Sequence, residues 1–346
     1  MKRIYLIFAV ILILILPVKA HDLTAPPVPE YAEKFMPDNQ KNFADGLWEV
    51  LRDTLLHIRP DLKEAGAICV RITAIALAVS LLKIIPGMPE STINLSGSVA
   101  IALILFRSAG SLVNLAGATV SEISEYGKLL LPVMTAAMAG QGSINTSASL
   151  YAGTALFNAL LTSLIGKLLT PMVYLFLLLA VSNSAIGETT VKRIRDSMKW
   201  FTIWSLKMIL YVYTGYIGIT GVVSGTTDAA ALKAAKLTIS GVVPVVGSIL
   251  SDASDAILIS AGTIKNTAGI YGLFAVLAIW IGPFLQIGSH YLLLKATGGI
   301  CSSFASKSSI ELIQDFATAL GLLLAMTGAI CLMLLISLVC YLKGVG

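Results

Sequence analysis

The feature that most constrains this chain is a succession of long, nearly uncharged apolar runs that starts at Ala65 and continues to Leu342. A helix needs about 20 apolar residues to cross the hydrocarbon of a bilayer. Runs of about that length cover 65–85, 97–120, 148–165, 169–187, 201–223, 267–294 and 317–342, the sixth readable as one pass or two short ones. A soluble fold of this content would lack the polar surface to cover itself. Hydrophobic residues make up 56% of the chain and charged residues 12%, about half the usual charged share. The pattern predicts an all-α polytopic membrane protein, a helical bundle of about seven to ten spans.

That reading excludes several functions. The formal charge of +5 falls to +2 once Lys2, Arg3 and Lys19 of the leader are set aside, so a broad nucleic-acid surface is not expected. The chain has no Walker motif, no HExxH and no GxSxG, and its three histidines, His21, His57 and His290, lie far apart. Neither enzymatic activity nor a cofactor or metal is expected. Cys69, Cys301, Cys331 and Cys340 sit in or beside apolar runs without a CxxC pair, and read as small buried residues.

Residues 1–20 read as a signal peptide. Lys2 and Arg3 precede the apolar run Ile4–Leu16, and Val18-Lys19-Ala20 fits small-residue cleavage before His21. With or without cleavage, the polar head that follows, 21–64, is placed outside the cytoplasm. It carries nine acids against five bases, and begins with Pro26, Pro27 and Pro29 in an extended stretch. Phe43, Leu47, Val50, Leu51, Leu55 and Ile58 then recur at helical spacing, and Pro60 closes the pattern. One short amphipathic helix is marginal alone. It lies on the bilayer or its own membrane domain, or it docks an extracytoplasmic partner.

The membrane domain, 65–346, holds two irregular segments. Residues 129–146 and 237–260 are apolar in their first half and polar in their second, and carry Pro132 and Pro244. Irregular backbone at membrane depth needs protein or water around it, so both read as broken or re-entrant spans. Pro132 is followed 39 residues later by Pro171, and Pro244 by Pro283 at the same interval, with an offset of 112 between the sets. That spacing fits an internal repeat of the kind found in transporters. The dense basic stretch Glu188–Trp200, with Lys192, Arg193, Arg195 and Lys199, reads as a cytoplasmic loop by the positive-inside rule.

Charges inside the runs mark candidate sites. Arg71 and Lys83 lie near run ends, where their long stems reach the interface. Arg107 is deeper, which predicts burial beside an anionic or carbonyl partner, for structure or along a pathway. Ser248, Ser251, Asp252 and Asp255 share one helical face. Burying two unpaired carboxylates would be strongly unfavourable, so they face water, a partner subunit, or a base such as Lys236 or Lys265. Lys265 and Asn266, with Gly269 and Gly272, allow a close turn into the next run. The whole stretch fits a solvated loop capping two helices, or a polar lining for a conduit or subunit contact. The uncharged patch Gln141–Ser147 fits a cap between broken helices.

These residues resemble a known family. Ala234-Ala235-Lys236, Pro244-Val245-Val246-Gly247, Leu250-Ser251-Asp252-Ala253 and Lys265-Asn266 with Gly269 and Gly272 are similar to the stage III sporulation protein AE family. Leu131-Pro132-Val133-Met134 with Gly140 and Gly142 resembles its first irregular segment; the head carries no such likeness. The resemblance implies a multi-pass protein of the mother-cell membrane facing the forespore. It would belong to a hetero-oligomeric assembly of stage III sporulation membrane proteins that forms a channel or feeding conduit. The residues alone also fit a self-contained secondary transporter with its site near Pro132 and Pro244, or a membrane scaffold. Lipid is expected around the chain in all three.

Overall fold

The structure, a computed structural model, describes residues 25–37, 43–85, 89–140, 144–186, 189–219 and 267–344. Among the described residues every regular element is helical, in agreement with the all-α expectation. A single turn, α1 (Glu30–Glu33), precedes α2 (Phe43–His57), α3 (Arg59–Leu82) and α4 (Glu90–Gly140). Then come α5 (Ile144–Leu164), a π turn (Ile165–Leu169), α6 (Thr170–Ile186), α7 (Thr189–Ile219), α8 (Thr267–Cys301) and α9 (Lys307–Gly344). Five helical stretches, 59–82, 90–138, 147–185, 269–301 and 307–342, are long and apolar enough to cross a membrane. The chain is a polytopic helical bundle.

The helices merge runs that the sequence separates. Residues 97–120 and 129–140 belong to one helix, α4, with Pro132 inside it. Proline removes one N–H and frees the carbonyl four residues back. Pro132 and Lys128 both lie on the exposed side of α4, so the freed carbonyl of Lys128 does not open into the core and the helix continues. The expected break at Pro132 is therefore absent, and α4 runs on to Gly140. The second irregular segment, 237–260, lies outside the described residues.

The expected runs 148–165 and 169–187 likewise form one helical stretch. The π turn at Ile165–Leu169 comes just before Pro171. The extra residue in a π turn re-routes carbonyls that a proline would otherwise leave unpaired. The basic stretch expected as a loop is helical and opens α7. Thr267–Leu294 is a single pass through Pro283, within α8. Of the expected repeat, Pro171 and Pro283 fall near the start of α6 and within α8, while Pro244 is outside the described residues.

α8 and α9 form the centre of the bundle as an antiparallel pair. In their most apolar stretches 67% and 78% of residues are buried, against 28–39% in α3, α4 and the α5–α6 stretch. Every residue from Leu273 to Ile281 is buried. The apolarity of α8 and α9 is thus satisfied by protein. That of the outer helices is not: Val70, Leu77, Leu103, Leu156, Leu160 and Leu178 face outward, and such faces require lipid or another apolar surface.

Polar seams fix the register of α9 against its neighbours. Thr135 on α4 meets the Tyr341 hydroxyl at 2.9 Å, and Thr154 on α5 meets Ser337 at 2.8 Å. At the other end the Ser184 and Ser308 hydroxyls are 2.9 Å apart, and Ser98 and Ser309 are 3.3 Å apart. Hydroxyls between apolar helices have no water to return to, so each contact specifies which turns face each other. Gly269 and Gly272, expected to serve a turn, instead lie inside the first turns of α8, where the side chains of Leu342 and Leu130 cover them. Absence of a Cβ permits that close approach.

Candidate functional site

The N-terminal arm builds a cleft against the bundle. α2 presents Gly46, Val50 and Thr54 inward, and a Cβ on Gly46 would stand 2.6 Å from the Phe274 ring of α8. Phe35 follows α1, packs edge-on against His57 at 5.7 Å and reaches Gly282, beside Pro283. The amphipathic helix thus lies on its own membrane domain, one of the two placements left open by the sequence. Pro60 opens α3 rather than ending the helical path, since Ile58 donates to the Thr54 carbonyl and Leu62 to the Ile58 carbonyl.

Between arm and bundle is a cleft of about 300 Å³, lined by Tyr31, Lys34, His57 and Asp61 on one side and Glu122, Pro283 and Gln286 on the other. The Tyr31 hydroxyl donates to the Glu122 carboxylate. Burial, and then the neighbouring carboxylate, push the Tyr31 phenol well above its ordinary range, so it remains a donor. The Tyr126 hydroxyl adds a second tie, to the Pro26 carbonyl at 3.3 Å. Carboxylates, an ammonium, an imidazole and an amide around one opening can hold a polar group. Among the described residues no group of three His, Cys, Asp or Glu could hold a metal ion.

A second polar cluster joins α7 to α9. Arg195 is buried, donates to the Asp315 carboxylate, and has Asp196 3.1 Å away on its own helix. Lys192 adds a looser pair with Glu311 at 3.6 Å. The cluster sits at the start of α9, beside the end of antiparallel α8, whereas the arm packs along the middle of α8, from Phe274 to Gln286.

The expected site residues separate widely. Arg107 is on the exposed face of α4 without an ion pair among the described residues, rather than buried as its depth in the run implied. Pro132 is exposed near the far end of the same helix. Lys236, Pro244, Asp252, Asp255, Lys265 and Asn266 lie outside the described residues, as do the signal peptide and Gln141–Ser143. Lys83 pairs with Glu90 at 3.0 Å across the α3–α4 turn. His290 is buried with Nδ1 3.0 Å from the Gln286 carbonyl. All four cysteines are free, three of them buried. Sequence reasoning passed over Tyr31, Glu122, Arg195 as a buried group, and Asp315. Glu122 and Glu125, one helical turn apart just past an apolar run, were the available signal for the cleft.

A family model described as stage III sporulation protein AE matches residues 29–344. The chain belongs to the stage III sporulation protein AE family. Among its relatives is the stage III sporulation protein AE of Bacillus subtilis (strain 168), 23% identical over 228 residues. That match covers 65% of this chain and 57% of the relative's length. No solved structure matches the chain. The family match runs from the arm through α9, so the cleft and the ion-pair cluster both lie within the family's own extent.

Proposed function

We propose that this chain is a non-enzymatic membrane subunit of a sporulation assembly that links mother cell and forespore and serves as a channel or transport device between them. Membership in a stage III sporulation protein family supports the setting, and the helical bundle supports membrane insertion. The observation that carries the subunit reading is the filled centre of the bundle. Trp280, Phe284 and Phe316 are fully buried there, amid the unbroken buried run on α8. Close-packed apolar side chains leave no water path along that axis, so a conduit would form between chains or along the undescribed stretch. Lys236, Asp252, Asp255, Lys265 and Asn266 are its candidate lining, and exposed Arg107 is a candidate subunit contact. The partners are other stage III sporulation membrane proteins, and no cofactor takes part.

The self-contained transporter is less well supported, because Pro132 lies on the outer face of an unbroken helix and offers no broken-helix site. For orientation, we place the arm outside the cytoplasm and the basic start of α7 inside it, on the charge of that stretch. The test is affinity purification of the tagged chain from membranes of sporulating cells after mild cross-linking. Other sporulation membrane proteins are expected in fixed ratio with it. Recovery of the chain alone would contradict the assembly.

A further inference from the structure

The outward face of α7 carries a graded pattern that the packing of the bundle core does not account for. Arg193, Ser197, Trp200, Trp204, Met208 and Tyr211 follow one another at steps of three or four residues, and all are exposed. On an α-helix that spacing makes one continuous stripe. It runs from a basic end, through an aromatic pair, to a mostly apolar end, with half-buried Lys207 at its side, that continues in Val212 and Ile219. Trp200 and Trp204 are 64% and 46% exposed and stack on each other, with ring centroids 6.0 Å apart and planes 17° from parallel. Two exposed indoles stacked side by side are costly in water and favoured where one edge is wet and the other apolar.

Two of the four charges near them have no ion-pair partner among the described residues. Of the four bases at the start of α7, Arg195 is taken by Asp315 and Asp196, and Lys192 by Glu311. Arg193 and Lys199 have no carboxylate partner among the described residues, and both are exposed: Arg193 lies two turns before Trp200 on the stripe, and Lys199 lies beside Trp200 in sequence, about a quarter turn round the helix. α9 starts alongside with its own polar turns, Lys307 to Asp315, and α6 ends there with buried Asn183 and Ser184. Three neighbouring helix ends are therefore polar at the basic end of the stripe.

We propose that this face is a binding site for an anionic phospholipid. Arg193 and Lys199 engage the headgroup phosphate, Trp200 and Trp204 sit at the headgroup level, and Met208, Tyr211 and Val212 lie against the acyl chains. Free cations complement an anionic headgroup, and the apolar continuation of the same stripe calls for acyl chains, which inorganic phosphate or a soluble acidic partner would not supply. Each base close to an anionic leaflet enriches such lipid about fivefold.

Lipid quenching tests it. The full chain carrying Trp48→Phe is reconstituted into phosphatidylcholine vesicles containing a minor fraction of brominated phosphatidylglycerol or, in parallel, the same fraction of brominated phosphatidylcholine. Stronger tryptophan quenching by the anionic lipid is expected, in line with an about fivefold or greater local enrichment, and inorganic phosphate should not remove it. In the double variant Arg193→Gln, Lys199→Gln the two lipids should quench equally and to the phosphatidylcholine level, while Arg193→Lys with Lys199→Arg should keep the preference. Equal quenching in the parent chain, a preference that survives in the Gln variant, or its removal by inorganic phosphate would overturn the site. Absence of quenching by either lipid, with the Gln variant losing a copurifying membrane protein, would overturn it in favour of a protein contact.

Discussion

The Arg195 guanidinium lies against the Asp315 carboxylate across 120 residues of sequence, with side-chain exposures of 6% and 13%. This pair fastens the start of α7 to the start of α9. Its energetics differ from those of the looser Lys192–Glu311 pair beside it, whose side chains are 49% and 29% exposed.

Removing one member of a buried pair leaves an uncompensated charge and costs about 3–5 kcal/mol. Arg195→Ala or Asp315→Ala is expected to lower the thermal unfolding temperature of the purified chain sharply. Lys192→Gln should cost about 0–1 kcal/mol. The double change Arg195→Met, Asp315→Leu should recover most of the loss, because an apolar pair of similar volume removes the desolvation penalty. A detergent thermal-shift series with these variants is the check.

Gly46 and Gly66 give opposite outcomes for the same substitution. A Cβ at Gly46 would press on the Phe274 ring, whereas at Gly66, inside α3, nothing lies within 4 Å. Gly46→Ala is expected to destabilise by about 1–3 kcal/mol and loosen the arm. Gly66→Ala should stabilise by about 0.5–1 kcal/mol through helix propensity. Limited proteolysis between residues 37 and 60, with thermal unfolding alongside, separates the two.

How much of this was legible in the sequence follows from these residues. The apolar runs of α3, α4, the α5–α6 stretch, α8 and α9 are legible as membrane-length helices, because lipid-facing and core-facing residues are equally apolar, whereas the run expected from 201 falls in α7, which is not among those stretches. The arm helix also read correctly from its spacing. Pro132 misled, because a proline shows that one carbonyl is freed but not which way that carbonyl faces. The basic start of α7 read as a loop since its charge density is visible locally, while Asp315 and Glu311, which satisfy it, lie more than a hundred residues away. The cleft was invisible for the same reason: Tyr31 and Glu122 meet only through the packing of the arm on α4 and α8.

Orientation is open to thiol labelling. With Cys69 replaced by Ala and the three buried cysteines checked for silence, a cysteine at Ser197 should resist impermeant reagents in intact cells. One at Glu30 should label. Both positions are exposed in the folded chain, so burial cannot produce the difference, and the reverse pattern would invert the bundle in the membrane.

We propose that the bundle, close-packed along its own axis, works only as part of an assembly. The most direct measurement is solute flux in proteoliposomes holding either the purified chain alone or the complex isolated with it from sporulating cells. Vesicles holding the chain alone are expected to be as tight as protein-free ones, and those holding the complex to show measurable flux. Saturable flux through the chain alone would contradict a closed bundle.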